Sequence, residues 1–385
     1  MKIVKKLACV LLVLSMTLPF TGCKDTTWTA KYNGEKLGAG VYMFYLLNGY
    51  STATNMATDQ NKSVLDQEIE GKSASVWITD FAINQVAIHY ALEDKAKELD
   101  VSLTDEKKKE LTDAIDTDWP NYKDICEQNK ISKESYTAVV MNGSLRDEVF
   151  KAIYIDGKDK ETGKVTEDEL RQNYAFFNYI SEGLGSLKKP VEASEDVEAV
   201  PLTDEEKKEN EETTKKNTKI KEMMDTLLAE FSKKTDENAF KDTLALYVTK
   251  SNEINKDVED YTEKTVEDFQ QYEEPQFIPV KEDAEAEADM TDDDKKVQTA
   301  IKELAYDKAQ LVTTETSVLF LAKYDLYKNK ELFEKNEMNI LSTYKGEEFT
   351  KILQDLADAI KDKITMNTGL TKTYTASTLI LPAQQ

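Results

Sequence analysis

The stretch WTAKYNGEKLGAGVYMFYLLNGY, Trp28–Tyr50, joins a turn to an aromatic-rich segment with helical spacing. Asn33-Gly34 is a strong hairpin signal, because both residue types tolerate the positive φ that a tight turn needs. The apolar residues from Val41 to Leu46 then form a large surface that must be buried or offered to a partner. The stretch predicts a hairpin followed by a helix. A strand at Tyr374–Leu381 is expected to pair with the hairpin.

The residues before this stretch have the pattern of an export signal. Lysines at positions 2, 5 and 6 precede an apolar run, Leu7–Phe20, that is too short to span a membrane. Phe20-Thr21-Gly22-Cys23 resembles the bacterial lipobox, although leucine is usual where Phe20 stands. We therefore predict a signal peptide over residues 1–22. Cys23 would be lipidated and would anchor the protein at the outer face of the bacterial cytoplasmic membrane. A plain secretory signal is the alternative.

Cysteine content and charge narrow the class of protein. With Cys9 in the signal and Cys23 lipidated, Cys126 cannot form an intrachain disulfide. It lies in an apolar-periodic run and is predicted to be a core residue rather than a nucleophile. The formal net charge is −24. This acidity argues against nucleic acid as a partner, since a phosphate binder needs clustered Lys and Arg. It could attract basic chains, but a solvated surface explains it more simply.

Apolar residues recur at helical spacing through most of the chain, and Ser or Thr caps mark several helix starts. Trp119-Pro120 is expected to end one helix. The predicted helices are Val76–Leu99, a Thr104-capped helix to about Ile115, two between Tyr122 and Tyr154 with Ser132 as a cap, a Thr166-capped helix towards Phe177, Ile220–Phe231, Ala239–Val248, Val297–Leu304 and Leu332–Ile364. Thr316–Tyr324 is β-branched and apolar enough for a buried strand.

Several polar segments are candidates for linkers or ion sites. Lys188–Lys216 is charged, with two prolines and few apolar residues, and is predicted to be an insertion or linker. The acidic stretch Asn252–Asp294 is predicted to be mainly a solvated loop rather than a metal site. Asp156–Gly163 has two glycines and several carboxylates, but their spacing does not match a calcium loop. His89 is predicted to be structural or exposed, with an i,i+4 contact to Glu93.

The order of these parts resembles the PrsA and SurA type of extracytoplasmic foldase. The resemblance rests on KYNGEKLGAGVYMFYLL, AKELDVSLTDEKKKEL, YKDICEQNKISKESYTAVVMNGSLRDEVFKAIY and VTEDELRQNY. It implies a chaperone domain made of N- and C-terminal segments, often with a parvulin-type prolyl isomerase domain inserted between them. Phe177–Ile180 would be the first strand of that insert. The helices and strands between Met223 and Tyr324 would supply the rest.

The middle region departs from the isomerase pattern. The parvulin active site commonly has histidines on its strands, whereas this chain has one histidine, His89, outside the insert. Asn178 and Tyr179 stand where the first strand usually carries histidine. The glycine-rich turn is missing, as no glycine occurs between Gly185 and Gly346. Little isomerase activity is therefore expected, although the middle region resembles a parvulin-type prolyl isomerase.

Together these observations predict a mainly α protein with a smaller α+β domain. The expected parts are a helical chaperone domain over residues 23–171, a degenerate parvulin-like domain over 172–327, and a helix and strand over 328–385 that complete the chaperone domain. The expected function is a membrane-anchored chaperone for unfolded secreted polypeptides, with Tyr42, Tyr45, Tyr50 and Met56 as candidate client contacts. An atypical active isomerase and a solute-binding lipoprotein are the alternatives. No catalytic residue, cofactor or metal is predicted, and a homodimer is left open.

Overall fold

The fold, described by a computed structural model for residues 28–190, 200–234, 239–258, 260–273, 276–280 and 290–381, is mainly helical with small antiparallel sheets. This confirms the predicted fold class at that level. The helices described are α1 (Ala39–Met56), α2 (Ala74–Glu98), α3 (Asp105–Gln128), α4 (Lys133–Tyr154), α5 (Glu167–Asn173), α6 (Asp204–Phe231), α7 (Ala239–Asn255), α8 (Asp292–Glu303), α9 (Lys330–Ile360) and α10 (Thr368–Thr373).

The strands form three antiparallel sheets, with orders β2-β1-β9, β3-β4 and β6-β5-β8-β7. Their bounds are β1 (Trp28–Tyr32), β2 (Glu35–Gly38), β3 (Glu68–Ile69), β4 (Lys72–Ser73), β5 (Tyr174–Gly183), β6 (Gln276–Pro279), β7 (Lys308–Thr313), β8 (Ser317–Lys323) and β9 (Thr365–Met366). The described chain divides into two compact units. Unit 1 holds the described residues up to Lys164 and those from Lys345 onwards, and unit 2 is Val165–Tyr344.

Unit 1 begins with the predicted hairpin and helix. Asn33 and Gly34 have φ values of 46° and 84°, as a turn between β1 and β2 requires. The predicted strand at Tyr374–Leu381 is wrong, because the partner of β1 is β9, where Ala30 pairs with Met366. Tyr374–Leu381 instead contains a 3-10 helix, Ala376–Thr378, whose turn is closed by side-chain and backbone hydrogen bonds between Thr375 and Thr378.

The core of unit 1 lies between α1, α2 and α4. Its centre contains Tyr42, Leu46, Ile78 and Val86, all almost fully buried. The second half of α9 packs on α2 through Ala87, Ala91 and Ala357, whose small side chains permit close approach. Asn84 and Gln354 also exchange amide hydrogen bonds of 2.8 and 3.0 Å.

The second half of α9 has two rows of apolar residues that differ in burial. Phe349, Leu353 and Ala357 are buried at a spacing of four, whereas Ile352, Leu356 and Ile360 are only partly buried. Both sets have helical periodicity, so the sequence pattern alone does not separate them.

Unit 2 is built on the sheet β6-β5-β8-β7, in which α6 and α7 cover one face and α8 the other. Ile180 and Phe320 pack with side chains of α6 and α7. Phe177 and Leu321 pack with Ile301 of α8. This division follows from the alternation of side chains along a strand. The strand at 316–324 is confirmed as β8, whereas β6 lies inside the acidic stretch that was predicted to be mainly loop.

Two predicted helix boundaries are wrong. Helix α3 continues through Pro120 to Gln128, because Trp119 and Cys126 on its far half are buried in the unit 1 core and outweigh the missing backbone donor. The predicted linker Lys188–Lys216 contains the first half of α6. Thr203 and Glu206 form a capping box there, and Glu and Lys are good helix formers without an apolar face.

A test of the α1–α2 packing uses two glycines in helices. A side chain at Gly49 would meet Phe81 Cδ1 at 2.9 Å and the Ile78 carbonyl oxygen at 3.3 Å, whereas nothing lies within 4 Å at Gly143. Gly49→Val should lower the free energy of unfolding by about 2 kcal/mol through overpacking. Gly143→Val should change it by less than about 0.5 kcal/mol. Urea denaturation followed by circular dichroism measures both, and equal effects would contradict the close packing.

Candidate polypeptide-binding surface

Two of the four predicted client contacts lie in the core of unit 1. Tyr42 is 0% exposed and Tyr45 is 7% exposed. Burial raises the pKa of Tyr42 to about 12, and its hydroxyl donates to the Tyr374 carbonyl oxygen at 3.4 Å. Side chains from parts of the sequence far from α1 bury these two residues, so neither lies on the surface of unit 1 in this structure.

Tyr45 and His89 form a buried polar pair, and His89 also contacts the partly exposed Glu93. The Tyr45 hydroxyl lies 2.9 Å from His89 Nδ1, and His89 Nε2 lies 3.5 Å from Glu93 Oε1. Burial, with a smaller effect of Glu93, raises the pKa of Tyr45 well above its usual range. The predicted i,i+4 contact of His89 is confirmed, and the histidine is a buried structural residue.

The other predicted contacts are more accessible. Met56, at the end of α1, is 42% exposed, and Tyr50 is partly buried against the unit 1 core. The four residues therefore do not form one surface. Cys23, the predicted lipidation site, lies outside the described residues.

An aromatic cluster whose side chains range from buried to exposed lies between α1, α3 and α4. It was not predicted from the sequence. Tyr136 is at its centre, with ring centroids 5.6 Å from Trp119, 6.2 Å from Tyr122 and 5.8 Å from Phe44. Trp119 is 9% exposed, whereas Tyr122 is 48% exposed and stacked on Tyr136 with an interplanar angle of 22°. We call these four residues the aromatic cluster. It presents the Tyr122 ring to solvent, and the packed rings of the other three residues lie beneath it.

Local sequence explains how the cluster forms. Trp119 and Tyr122 are three residues apart and share one face of α3. Lys130, with φ of 62°, lies in the turn after α3, and Ser132 then caps α4 by accepting from the Ser135 N–H, as predicted. The Lys133 ammonium meets Asp116 at 2.6 Å, which ties the start of α4 to α3.

Burial dominates the electrostatics around the cluster. It raises the pKa of Tyr136, with smaller contributions from Tyr122, Cys126 and Asp118. Cys126, confirmed as a buried core residue, also has its pKa raised by burial and by Glu127. A thiol in that state is a poor nucleophile. The cluster therefore offers apolar contact rather than chemistry.

In unit 2, the position implied for an isomerase active site is filled by protein. Asn178 on β5 is 4% exposed, and its amide nitrogen donates to the Tyr272 carbonyl oxygen at 2.8 Å. The Tyr179 ring lies 5.7 Å from the Tyr272 ring. A prolyl isomerase needs an accessible apolar pocket with placed hydrogen-bond groups for the twisted amide. Asn178 is instead buried, with its amide nitrogen bonded to the backbone of Tyr272.

Lys323 on β8 is a buried lysine whose burial was not predicted from the sequence. It is 6% exposed, and burial lowers its pKa. Its ammonium donates to the Lys302 carbonyl oxygen at 3.0 Å and lies 4.9 Å from the centroid of the Tyr306 ring. A lowered pKa can activate a lysine, but these contacts hold the nitrogen inside unit 2.

In the loop Asp156–Gly163, which was considered as a calcium site, a carboxylate is paired with a lysine from α2. The Lys95 ammonium lies 2.7 Å from Asp159, and the two side chains are 9% and 8% exposed. Asp159 also accepts from the N–H groups of Glu161 and Thr162. Burial alone would raise the pKa of Asp159, but Lys95 and these N–H groups bring it below its usual value. The Lys95 ammonium therefore already provides the positive charge that balances the Asp159 carboxylate.

Within the described ranges, no group of His, Cys, Asp and Glu is arranged to hold a metal ion. None of the helices described is long and apolar enough to cross a membrane. Comparison with protein-family models, with curated proteins and with solved structures finds no match for this chain.

The Lys95–Asp159 pair yields a stability prediction. Lys95→Met should lower the free energy of unfolding at pH 7 by about 3 kcal/mol, because it leaves a buried carboxylate without its cation. Lys97→Met, which removes a lysine that is 64% exposed in its pair with Glu35, should cost less than about 0.5 kcal/mol.

The pH dependence has a definite sign. A carboxylate with a lowered pKa in the folded state stabilises the protein above its usual pKa of 3.8, and this contribution is lost as the pH falls further. In Lys95→Met, burial without the lysine raises the pKa of Asp159 instead, and protonation then relieves the unpaired buried charge. The gap between wild type and Lys95→Met should therefore narrow as the pH is lowered from 7 towards 4 and below. Urea denaturation at several pH values measures it. A constant gap would contradict the role of Asp159.

Proposed function

We propose that this protein is an extracytoplasmic chaperone of the PrsA and SurA type, anchored by a lipid on Cys23, that binds unfolded secreted polypeptides without isomerase catalysis. The observation that carries the proposal is the aromatic cluster of unit 1. A solvent-exposed ring on a rigid base suits weak, sequence-tolerant binding of apolar side chains. Tyr122 replaces Tyr42 and Tyr45 as the proposed client contact, and Tyr50 and Met56 are secondary candidates.

The arrangement of the chain supports the proposal. Segments from both ends of the chain make up unit 1, and unit 2 lies between them in sequence. Unit 2 has a four-stranded antiparallel sheet with flanking helices, as the resemblance to a parvulin domain implies. The observed boundaries, after Lys164 and after Tyr344, differ from the proposed 171/172 and 327/328 boundaries. The observed boundary after Tyr344 lies within α9, where helical periodicity continues without a break.

The absence of catalysis is supported by the environment of Asn178. Its buried amide and its bond to Tyr272 fill the place where the family's first strand usually carries histidine. Binding would then be the function of the whole chain, with unit 2 as a degenerate insert. The acidic surface would help to keep client complexes soluble.

The direct test is suppression of aggregation of a denatured test protein. Wild type should suppress light scattering at near-stoichiometric ratios. Tyr122→Ser should raise the concentration needed for half suppression by roughly fivefold, because half of a tyrosine ring contributes on the order of 1 kcal/mol of apolar contact.

Val258→Ser is the control, since Val258 in unit 2 is also 48% exposed; it should leave the suppression unchanged. No suppression by wild type at stoichiometric excess would contradict the proposal. A proline-peptide isomerisation assay run in parallel should show no acceleration. Acceleration that disappears when residues 172–327 are deleted would favour the active isomerase.

A further inference from the structure

We infer that the surface of unit 1 covered by the segment Tyr374–Leu381, which we call the groove, is a binding site for a polypeptide segment with small and aliphatic side chains. The segment YTASTLIL then acts as an internal occupant that a client displaces. We call this segment the strap. The inference deepens the proposed chaperone function and rests on it.

The strap is held through its main chain. The Asn129 side chain accepts from the Ile380 N–H at 2.9 Å and donates to the Ile380 carbonyl oxygen at 2.7 Å. At the other end, the Tyr42 hydroxyl donates to the Tyr374 carbonyl oxygen. These bonds recognise a peptide backbone rather than a sequence. A client residue at the position of Ile380 must only supply an N–H, which excludes proline.

The side chains that enter the groove define the chemistry of the occupant. Ala376 is 2% exposed, and Tyr374 and Leu379 pack partly buried against the unit 1 core. Ile380 and Leu381 are 45% and 39% exposed. The groove therefore takes one small side chain and an aliphatic side chain three residues later, and is tolerant of the residues that follow.

Asn129 is built for this role. It is 2% exposed, and its amide nitrogen also donates to the Ile125 carbonyl oxygen at 2.9 Å, which fixes its orientation. A buried amide that lost the strap would leave its oxygen without that donor, an unfavourable state. Another polypeptide backbone provides the same pair of groups. Exchange of one polypeptide segment for another is thus less costly than an empty groove.

The groove is continuous with the aromatic cluster along α3. Tyr122 and Asn129 are seven residues apart, so they lie on one face about 10.5 Å apart along the helix axis. Partly buried Ile125 lies between them. A client that replaces the strap at Asn129 would be placed to reach the exposed Tyr122 ring. This continuity favours a client over a second copy of the chain as the occupant.

The test compares two substitutions of one residue. Ile380→Pro removes the N–H that Asn129 accepts, whereas Ile380→Ser removes the same exposed side chain and keeps the N–H. Fluorescence anisotropy would measure binding of labelled YTASTLIL to each purified protein. Ile380→Pro should bind the peptide at least about tenfold more tightly than wild type, because the internal competitor is weakened. Ile380→Ser should resemble wild type, and a peptide with proline in place of its isoleucine should not bind.

Hydrogen exchange on wild type gives a second measurement that needs no variant. Addition of a permanently unfolded polypeptide should increase deuterium uptake in Tyr374–Leu381. Unchanged uptake at saturating polypeptide, or equal peptide affinities of Ile380→Pro and wild type, would overturn the inference. A wild-type dimer that Ile380→Pro dissociates would also overturn it, by assigning the groove to a second copy.

The outcomes separate this inference from the proposed function. If wild type suppresses aggregation but the strap neither exchanges nor responds to Ile380→Pro, the chaperone function stands and the groove assignment fails. If the peptide binds and the strap exchanges but no aggregation is suppressed, the groove stands as a peptide site and the chaperone function fails.

Discussion

The structure of unit 1 depends on the pairing of β1 with β9. A two-stranded hairpin such as β1–β2 is at best marginally stable alone, so β1 needs a second partner for its free backbone groups. Thr365–Met366 provides it, and the Asn367 N–H extends the contact to the Thr29 carbonyl oxygen at 2.7 Å. This pairing joins segments more than three hundred residues apart. Whatever lies between must return the chain to the same sheet.

The same constraint explains why residues near the two ends of the described chain share one core. Once β9 is paired, the α9 residues before it lie against α2, where Ala87, Ala91 and Ala357 allow close contact. The strap that follows β9 and α10 then reaches Tyr42 and Asn129. Unit 2 has its own core on both faces of its sheet. Substitutions inside that core can therefore leave the packing of unit 1 unchanged.

Local signals in the sequence were sufficient where structure is locally determined. Thr104, Ser132 and Thr166 were predicted as helix caps, and each accepts a hydrogen bond from the N–H three residues later. The hairpin at Asn33-Gly34 and the strand β8 were predicted for similar reasons. The wrong predictions depend on distant partners. The burial of Tyr42 and Tyr45, the continuation of α3 through Pro120 and the choice of β9 over Tyr374–Leu381 are decided by packing that local periodicity does not encode.

The contact between Asn129 and the strap was not predicted, because a side-chain amide there pairs with the backbone as a neighbouring strand would. Asn129 is 251 residues from Ile380, and no local pattern marks the pair. Unit 2 contains two contacts of the same kind. Asn217 exchanges two hydrogen bonds with the backbone of Gly185, and Asn210 exchanges two with the backbone of Lys188. Seven residues of α6 span about 10.5 Å and three extended residues about 10 Å, so the two registers match. Side-chain amides thus hold extended segments by backbone alone, which leaves the sequence of each segment free to vary and hides the contact from sequence analysis.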